Sequence, residues 1–122
     1  MEEPRHKIYD LRKRTYLYAL DIINFIENLP KDYISIIIGR QLLRSATSIG
    51  ANIIEAQASS SKKDFTNFYS HSLKSANESK FWLSLLLDSH RVPFDKTKII
   101  SDETIELSNI LAASILSLKG KR

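Results

Sequence analysis

From Ile8 the residues Ile8, Leu11, Thr15, Tyr18, Ile22, Phe25 and Leu29 return at alternating steps of three and four. Successive residues of an α-helix are turned by about 100°, so this spacing draws one nearly continuous stripe along a helix. A stripe of that kind must be buried against other helices. The pattern predicts a helix over about 5–28, with Pro4 in its first turn and Asn28 and Pro30 ending it. A second helix is expected over about 32–58, capped by Asp32 and carrying Ile34, Ile38, Leu42, Ile49 and Ile53 on its apolar face. Ser59, Ser60 and Ser61 break it. Ser61 with Asp64 resembles a capping box for a third helix over about 62–90, bearing Phe65, Phe68, Leu73, Ala76, Trp82, Leu83, Leu86 and Leu87. Val92-Pro93-Phe94 closes it. A fourth helix is expected over about 96–118, capped by Asp95 or Ser101, carrying Ile100, Leu107, Ile110, Leu111, Ile115 and Leu118 and closed by Gly120. Four helices with short connections predict an all-α, antiparallel up-down-up-down four-helix bundle filling one domain, 1–122. A three-helix domain with a frayed arm is the alternative.

Composition narrows the classes of function. Three glycines and three prolines in 122 residues oppose a turn-rich β architecture. The absence of cysteine excludes a disulfide framework, a thiol nucleophile and thiolate zinc sites. The segment Met1–Arg14 is dense in charge and lacks the apolar core of a secretory signal. Ile34–Ile38 and Phe81–Leu87 are too short to span a membrane. A cytoplasmic protein is expected.

Two of the helices are greasier than a lone bundle needs. Phe81 with Leu85, Trp82 with Leu86, and Leu83 with Leu87 leave little of the third helix's circumference polar. The first helix adds Tyr16, Leu20 and Ile23 beside its main stripe. Leaving a Leu, Ile or Phe in water forfeits about 1.5–3 kcal/mol each, and a contiguous patch invites association. A homo-oligomer is therefore expected, with Tyr16, Leu20, Ile23, Phe81 and Leu85 at the contact; neighbouring helices that wrap these residues are the alternative. The second helix holds the opposite anomaly. Gly39, Ala46 and Gly50 share one face, where each glycine costs ~1 kcal/mol against alanine, so a closely packed neighbour is expected there. Beside them runs a polar row, Gln41, Ser45, Ser48, Asn52 and Glu55, answered on the third helix by Ser72, Ser75 and Ser79 with Glu78 alongside. Such rows either face solvent or form a hydrogen-bonded seam.

The stretch from Gln41 to Ala56, QLLRSATSIGANIIEA, continued by Ser61, Asp64-Phe65, Ala76, Glu78 and Phe81-Trp82-Leu83, resembles the signature of the four-helix bundle proteins first known from intervening sequences in 23S rRNA genes. That family is similar in fold to the accessory subunit of diversity-generating retroelements, which partners a reverse transcriptase. The resemblance implies a small bacterial, cytosolic bundle assembling as a ring-like homopentamer, of unassigned biochemical function but suspected of binding nucleic acid. Arg44, Ser48, Asn52 and Glu55 match its polar positions, and Glu78 its third-helix glutamate. Many members carry glycine where this chain has Ala56 and Lys74, so the chain resembles a branch of the family other than the glycine-bearing one.

In an up-down-up-down bundle the N-terminus, the second connection and the C-terminus share one end. That end would collect Arg5, Lys7, Arg12, Lys13, Arg14, Lys62, Lys63, Lys119, Lys121 and Arg122, within a chain whose 18 basic and 14 acidic residues leave +4. Glu2, Glu3, Asp10 and Asp64 dilute the pole. Repeated around a ring, it would attract RNA or DNA phosphates through counterion release, without reading sequence. Tyr9 and Tyr16 could add stacking surface or could simply pack.

Catalytic and metal chemistry find little footing. The di-iron bundle motif needs Glu-x-x-His on two helices, and Glu3-Pro-Arg-His6 is the one such spacing. His71 and His90 would lie about 28 Å apart along one helix. No Walker loop, Gly-x-Ser-x-Gly or His-Glu-x-x-His occurs. The expectation is a non-enzymatic, cofactor-free oligomer associated with nucleic acid. An adaptor presenting a helix face to a nucleic-acid-processing enzyme is the runner-up, and a metal-binding bundle a third class.

Overall fold

The computed structural model describes residues 9–120 and contains four helices: α1 Leu11–Glu27, α2 Tyr33–Ala58, α3 Lys62–Asp88 and α4 Phe94–Leu118. No strand occurs among the described residues. Direction follows from the pairings between helices. As numbering rises from Ser45 through Ser48 to Ile49 on α2, partners on α3 fall from Ser79 through Ser75 to Ser72. Gly50 lies against Thr15, whereas Gly39 lies against Ile26. So α1 opposes α2 and α2 opposes α3, and the short connection 89–93 turns α4 back along α3. The all-α up-down-up-down bundle expected from periodicity is the fold.

The core is the set of stripes. Tyr18 and Ile22 from α1, Leu42, Ile49 and Ile53 from α2, Leu83 and Leu86 from α3, and Leu107 and Leu111 from α4 are almost fully buried. Fully burying an aliphatic or aromatic side chain contributes about 1.5–3 kcal/mol. Tyr18 carries a hydroxyl into this core. The Thr104 hydroxyl donates to the Ile100 carbonyl at 2.7 Å, which leaves Tyr18 Oη to donate to Thr104 Oγ1 at 2.6 Å. Burial foremost pushes the Tyr18 phenol well above its ordinary pKa.

Gly50 and Gly39 let α1 ride close to α2. A Cβ on Gly50 would meet Thr15 Oγ1 at 3.0 Å and Thr15 Cβ at 3.3 Å. One on Gly39 would meet Leu29 Cδ1 at 2.9 Å. Close approach therefore offsets the low helix propensity of these glycines.

Helix ends depart from the expected bounds in physically readable ways. The structure begins α1 at Leu11, where Asp10 accepts the Arg12 N–H at 3.0 Å; the expected start and Pro4 lie outside the described residues. Asp32 caps α2 as expected, and its carboxylate takes both the Ser35 N–H at 2.9 Å and the Ser35 hydroxyl at 2.8 Å. The Ser35 N–H foremost, then its hydroxyl, holds the Asp32 carboxyl below its usual pKa. That cap turns Ser35 inward and leaves Ile34 at 43 % exposure, so Ile34 does not belong to the apolar face assigned to it from spacing. Neither Asp95 nor Ser101 caps α4; Pro93 stands at that position, and its hydrocarbon ring makes no capping bond.

The end of α3 holds a replaceable strain. Arg91 N–H bonds to the Leu86 carbonyl at 3.1 Å and His90 N–H to Leu87 at 3.0 Å, closing the helix with His90 at φ 58°. A side chain at that left-handed position costs about 1–2 kcal/mol. His90→Gly is expected to stabilise the chain by about 1 kcal/mol. A urea melt at fixed protein concentration that shows no gain, or a loss, would count against this.

Candidate nucleic-acid interface and polar seam

One end of the bundle gathers the start of α1, the end of α2, the start of α3 and the end of α4. Arg12, Lys13, Lys62, Lys63 and Lys119 stand exposed there. Ser61 accepts the Asp64 N–H at 3.1 Å, which fixes the first turn of α3 and with it Lys62 and Lys63. Arg12 has a weak ion pair with Asp10 at 3.5 Å, both side chains about half in solvent. The Arg12 N–H foremost holds the Asp10 carboxyl below its usual pKa. Lys13, Lys62, Lys63 and Lys119 have no ion pair among the described residues. Arg5, Lys7, Lys121 and Arg122 lie outside the described residues.

Arg14 does not belong to this pole. Its side chain is 3 % exposed, with Nε 2.9 Å from Glu103 Oε2 and Nη2 2.7 Å from Glu103 Oε1. Glu106 Oε1 lies 3.1 Å from the same Nη2. A guanidinium committed to two carboxylates has no share in binding phosphates. The signal was present in the spacing, because Arg14 falls between Leu11 and Tyr18 on the stripe's flank and Glu103 lies four residues before Leu107. Charge alone had placed it at the surface.

Between α1 and α2 at the basic end runs a groove of about 500 Å³. Asp10, Arg12, Lys13 and Tyr16 contribute from the α1 side, and Thr47, Gly50, Ala51 and Ile54 from α2. Tyr16 is 65 % and Ile54 54 % exposed. Thr15 packs against Gly50 beneath the groove, and Ala51 brings only a methyl group.

The two polar rows meet along the α2–α3 contact. The Ser79 hydroxyl donates to the Ser75 carbonyl at 2.9 Å and lies 2.8 Å from Ser45 Oγ. Ser72 donates to the Ile49 carbonyl at 2.8 Å, and Ser75 to Ser48 Oγ at 3.1 Å. Asn52 Nδ2 closes on the Ser48 carbonyl and hydroxyl at 2.9 and 3.0 Å. Ser45, Ser72 and Ser79 are fully buried. Each satisfied bond is worth about 0.5–1.5 kcal/mol, and each would be costly to leave unmade, so the seam fixes register between α2 and α3. Nearer the surface Arg44 pairs with Glu78, which also accepts Trp82 Nε1–H at 3.0 Å, while Arg44 reaches Gln41 Oε1 at 3.1 Å. Glu55 is exposed and takes no part in the seam.

The hydroxyls of this seam are spent on backbone carbonyls, one another and Asn52, with no imidazole or carboxylate against them. Among the described residues no three His, Cys, Asp or Glu side chains gather as a metal site. No described helix is long and apolar enough to cross a membrane.

Part of the outward side of α1 is apolar, beside exposed Asp21, Asn24 and Glu27. Tyr16, Leu20 and Ile23 point away from the core at 65, 45 and 42 % exposure, and on α3 Phe81 and Leu85 stand at 56 and 38 %.

Comparison with known proteins follows the same lines. The profile of the 23S rRNA-intervening sequence proteins matches residues 7–113. Six chains of solved structure match significantly. One is the crystal structure of a protein of unknown function from the S23 ribosomal protein family of Bacteroides thetaiotaomicron VPI-5482. It is 32 % identical, covers 86 % of this chain and 97 % of its own, and superposes with a TM-score of 0.79. No curated protein matches significantly.

Proposed function

The chain belongs to the 23S rRNA-intervening sequence protein family, and on that footing we propose that it is a non-enzymatic, homo-oligomeric, cytoplasmic bundle that associates with RNA or DNA through its basic pole. The observation that carries this is the cluster of Lys13, Lys62, Lys63 and Lys119, exposed at one end with no ion pair among the described residues. Cations left unpaired at a shared end are the footprint of backbone-phosphate binding. Leu20 and Ile23 on the outer side of α1, with Phe81 and Leu85 on α3, supply the contact between copies, and a homopentameric ring is the assembly the family suggests. A ring multiplies the pole, so that weak contacts per subunit add on one polyanion.

The test is binding of a labelled RNA and a labelled DNA measured across salt. Affinity is expected to fall linearly on a log–log scale as salt rises. Lys13→Glu combined with Lys62→Glu and Lys63→Glu is expected to weaken binding at least a hundredfold at low salt. Absent or salt-insensitive binding by the native chain would overturn the proposal.

The half-buried Trp82 beside the exposed Arg44 combines residue types that anchor protein interfaces, and an adaptor contact to a nucleic-acid-processing enzyme is the alternative use of the α3 face.

A further inference from the structure

The α1–α2 groove brings a stacking surface and two cations to one place at the basic end. We propose that it seats a base of a single-stranded nucleic acid, with the flanking phosphates held by Arg12 and Lys13. The proposal rests on the nucleic-acid association above and narrows it to one class of strand.

A base in a single strand exposes two apolar faces and a charged backbone. The groove offers a partner for each. Tyr16 supplies an exposed aromatic ring on the α1 side and Ile54 an exposed aliphatic side chain on the α2 side. Between them the groove is lined by Thr15, packed against Gly50, and by Ala51, and about 500 Å³ stays open. That volume falls within the range of small-ligand sites, which run from roughly 300 to 1,000 Å³. Arg12 and Lys13 border the same groove. The Arg12–Asp10 pair at 3.5 Å is solvent-screened and weak, so a phosphate can take the guanidinium over. Stacking tolerates any base, since every base has a π-face, and fits a site with no side-chain array for reading base edges. A duplex keeps its bases stacked on one another and offers the pole only phosphates. The groove therefore discriminates by strand, not by sequence.

The experiment uses a short fluorescent single-stranded RNA without self-complementarity, and the same RNA annealed to its complement, by anisotropy at low salt. The full-length chain is compared with Ala51→Leu, which fills the groove from an exposed helix position. Tyr16→Leu is the second variant; it removes the ring, which the proposal assigns to the groove and not to the contact between copies, and keeps an apolar side chain. Sedimentation and far-UV circular dichroism confirm that each variant keeps its size and helix. The native chain is expected to bind the single strand about tenfold tighter than the duplex. Both variants should lose about tenfold on the single strand and keep duplex binding. Equal affinity for the two forms, or variants that bind the single strand as the native chain does, overturns the groove while leaving the basic pole standing. Failure to bind either form overturns the nucleic-acid association itself.

Discussion

Arg14→Met is expected to destabilise the fold by about 3–5 kcal/mol, the usual cost of removing one partner of a buried ion pair. The guanidinium is 3 % exposed and grips Glu103 through two bonds of 2.7 and 2.9 Å. Taking it away leaves the Glu103 carboxylate, itself 11 % exposed, without a counter-charge at the α1–α4 contact. Glu106 cannot compensate, being a carboxylate as well. Glu103→Gln should cost less, because Arg14 still faces Glu106 at 3.1 Å. Arg14→Lys should not rescue the native stability, since an ammonium lacks the planar fork that meets both Glu103 oxygens. The double replacement Arg14→Met with Glu103→Leu should recover most of the loss, because two apolar groups need no mutual charge and avoid the desolvation that the ion pair incurs. Urea melts of the native chain, Arg14→Met, Glu103→Leu and the double variant at one fixed protomer concentration give the four corners of the cycle. A loss below about 1 kcal/mol for Arg14→Met would mean that water reaches the pair and that the α1–α4 seam does not depend on it.

That pair also marks where sequence stops being legible. Tyr18, Ile22, Leu42, Ile53, Leu83, Leu86, Leu107 and Leu111 were all readable as core, because a stripe of step three and four has a single way to be buried. The register between stripes was not readable. Ser45, Ser48, Ser72, Ser75 and Ser79 could be seen as two rows, yet only the offset of α2 against α3 decides that Ser45 meets Ser79 and that Ser72 finds the Ile49 carbonyl. The same holds for the partners of Arg14, which lie some ninety residues on, although its burial was visible in the spacing. Local rules see a cation near an N-terminus and assign it to solvent; the fold gives it two carboxylates. Ile34 failed for a different reason. A capping carboxylate that takes both the N–H and the hydroxyl of Ser35 sets the phase of the first turn, and periodicity counted from the helix middle misses that local override.

The basic pole was legible as a consequence of topology and not of any motif. Once the helices alternate in direction, residues as distant as Lys13, Lys62 and Lys119 must share an end. Its reduction by Arg14 leaves the electrostatic case to lysines that nothing described neutralises, with a groove opening beside them.

Replacing Leu20 with Glu and Ile23 with Lys is expected to convert the native assembly into a 14.0 kDa monomer that keeps its helices. Both side chains are nearly half exposed on the outer side of α1, so the isolated subunit loses little when they become polar. The contact between copies loses much more. It forfeits apolar burial on the order of 1 kcal/mol per residue and must desolvate two charges, a penalty of several kcal/mol unless each finds a partner. Together these correspond to at least a thousandfold weaker association. The opposite signs keep net charge unchanged, and the new lysine stands four residues before Glu27, a favourable helical pair. Ile99→Glu, on the exposed side of α4 and outside the expected contact, is the control that should leave the assembly intact. Sedimentation velocity of the native chain and the two variants decides between the outcomes. An assembly that survives the double change would move the contact elsewhere on the bundle. A native chain that sediments as one subunit at micromolar concentration would remove the ring, and with it the repetition of the pole that raises its affinity for a polyanion.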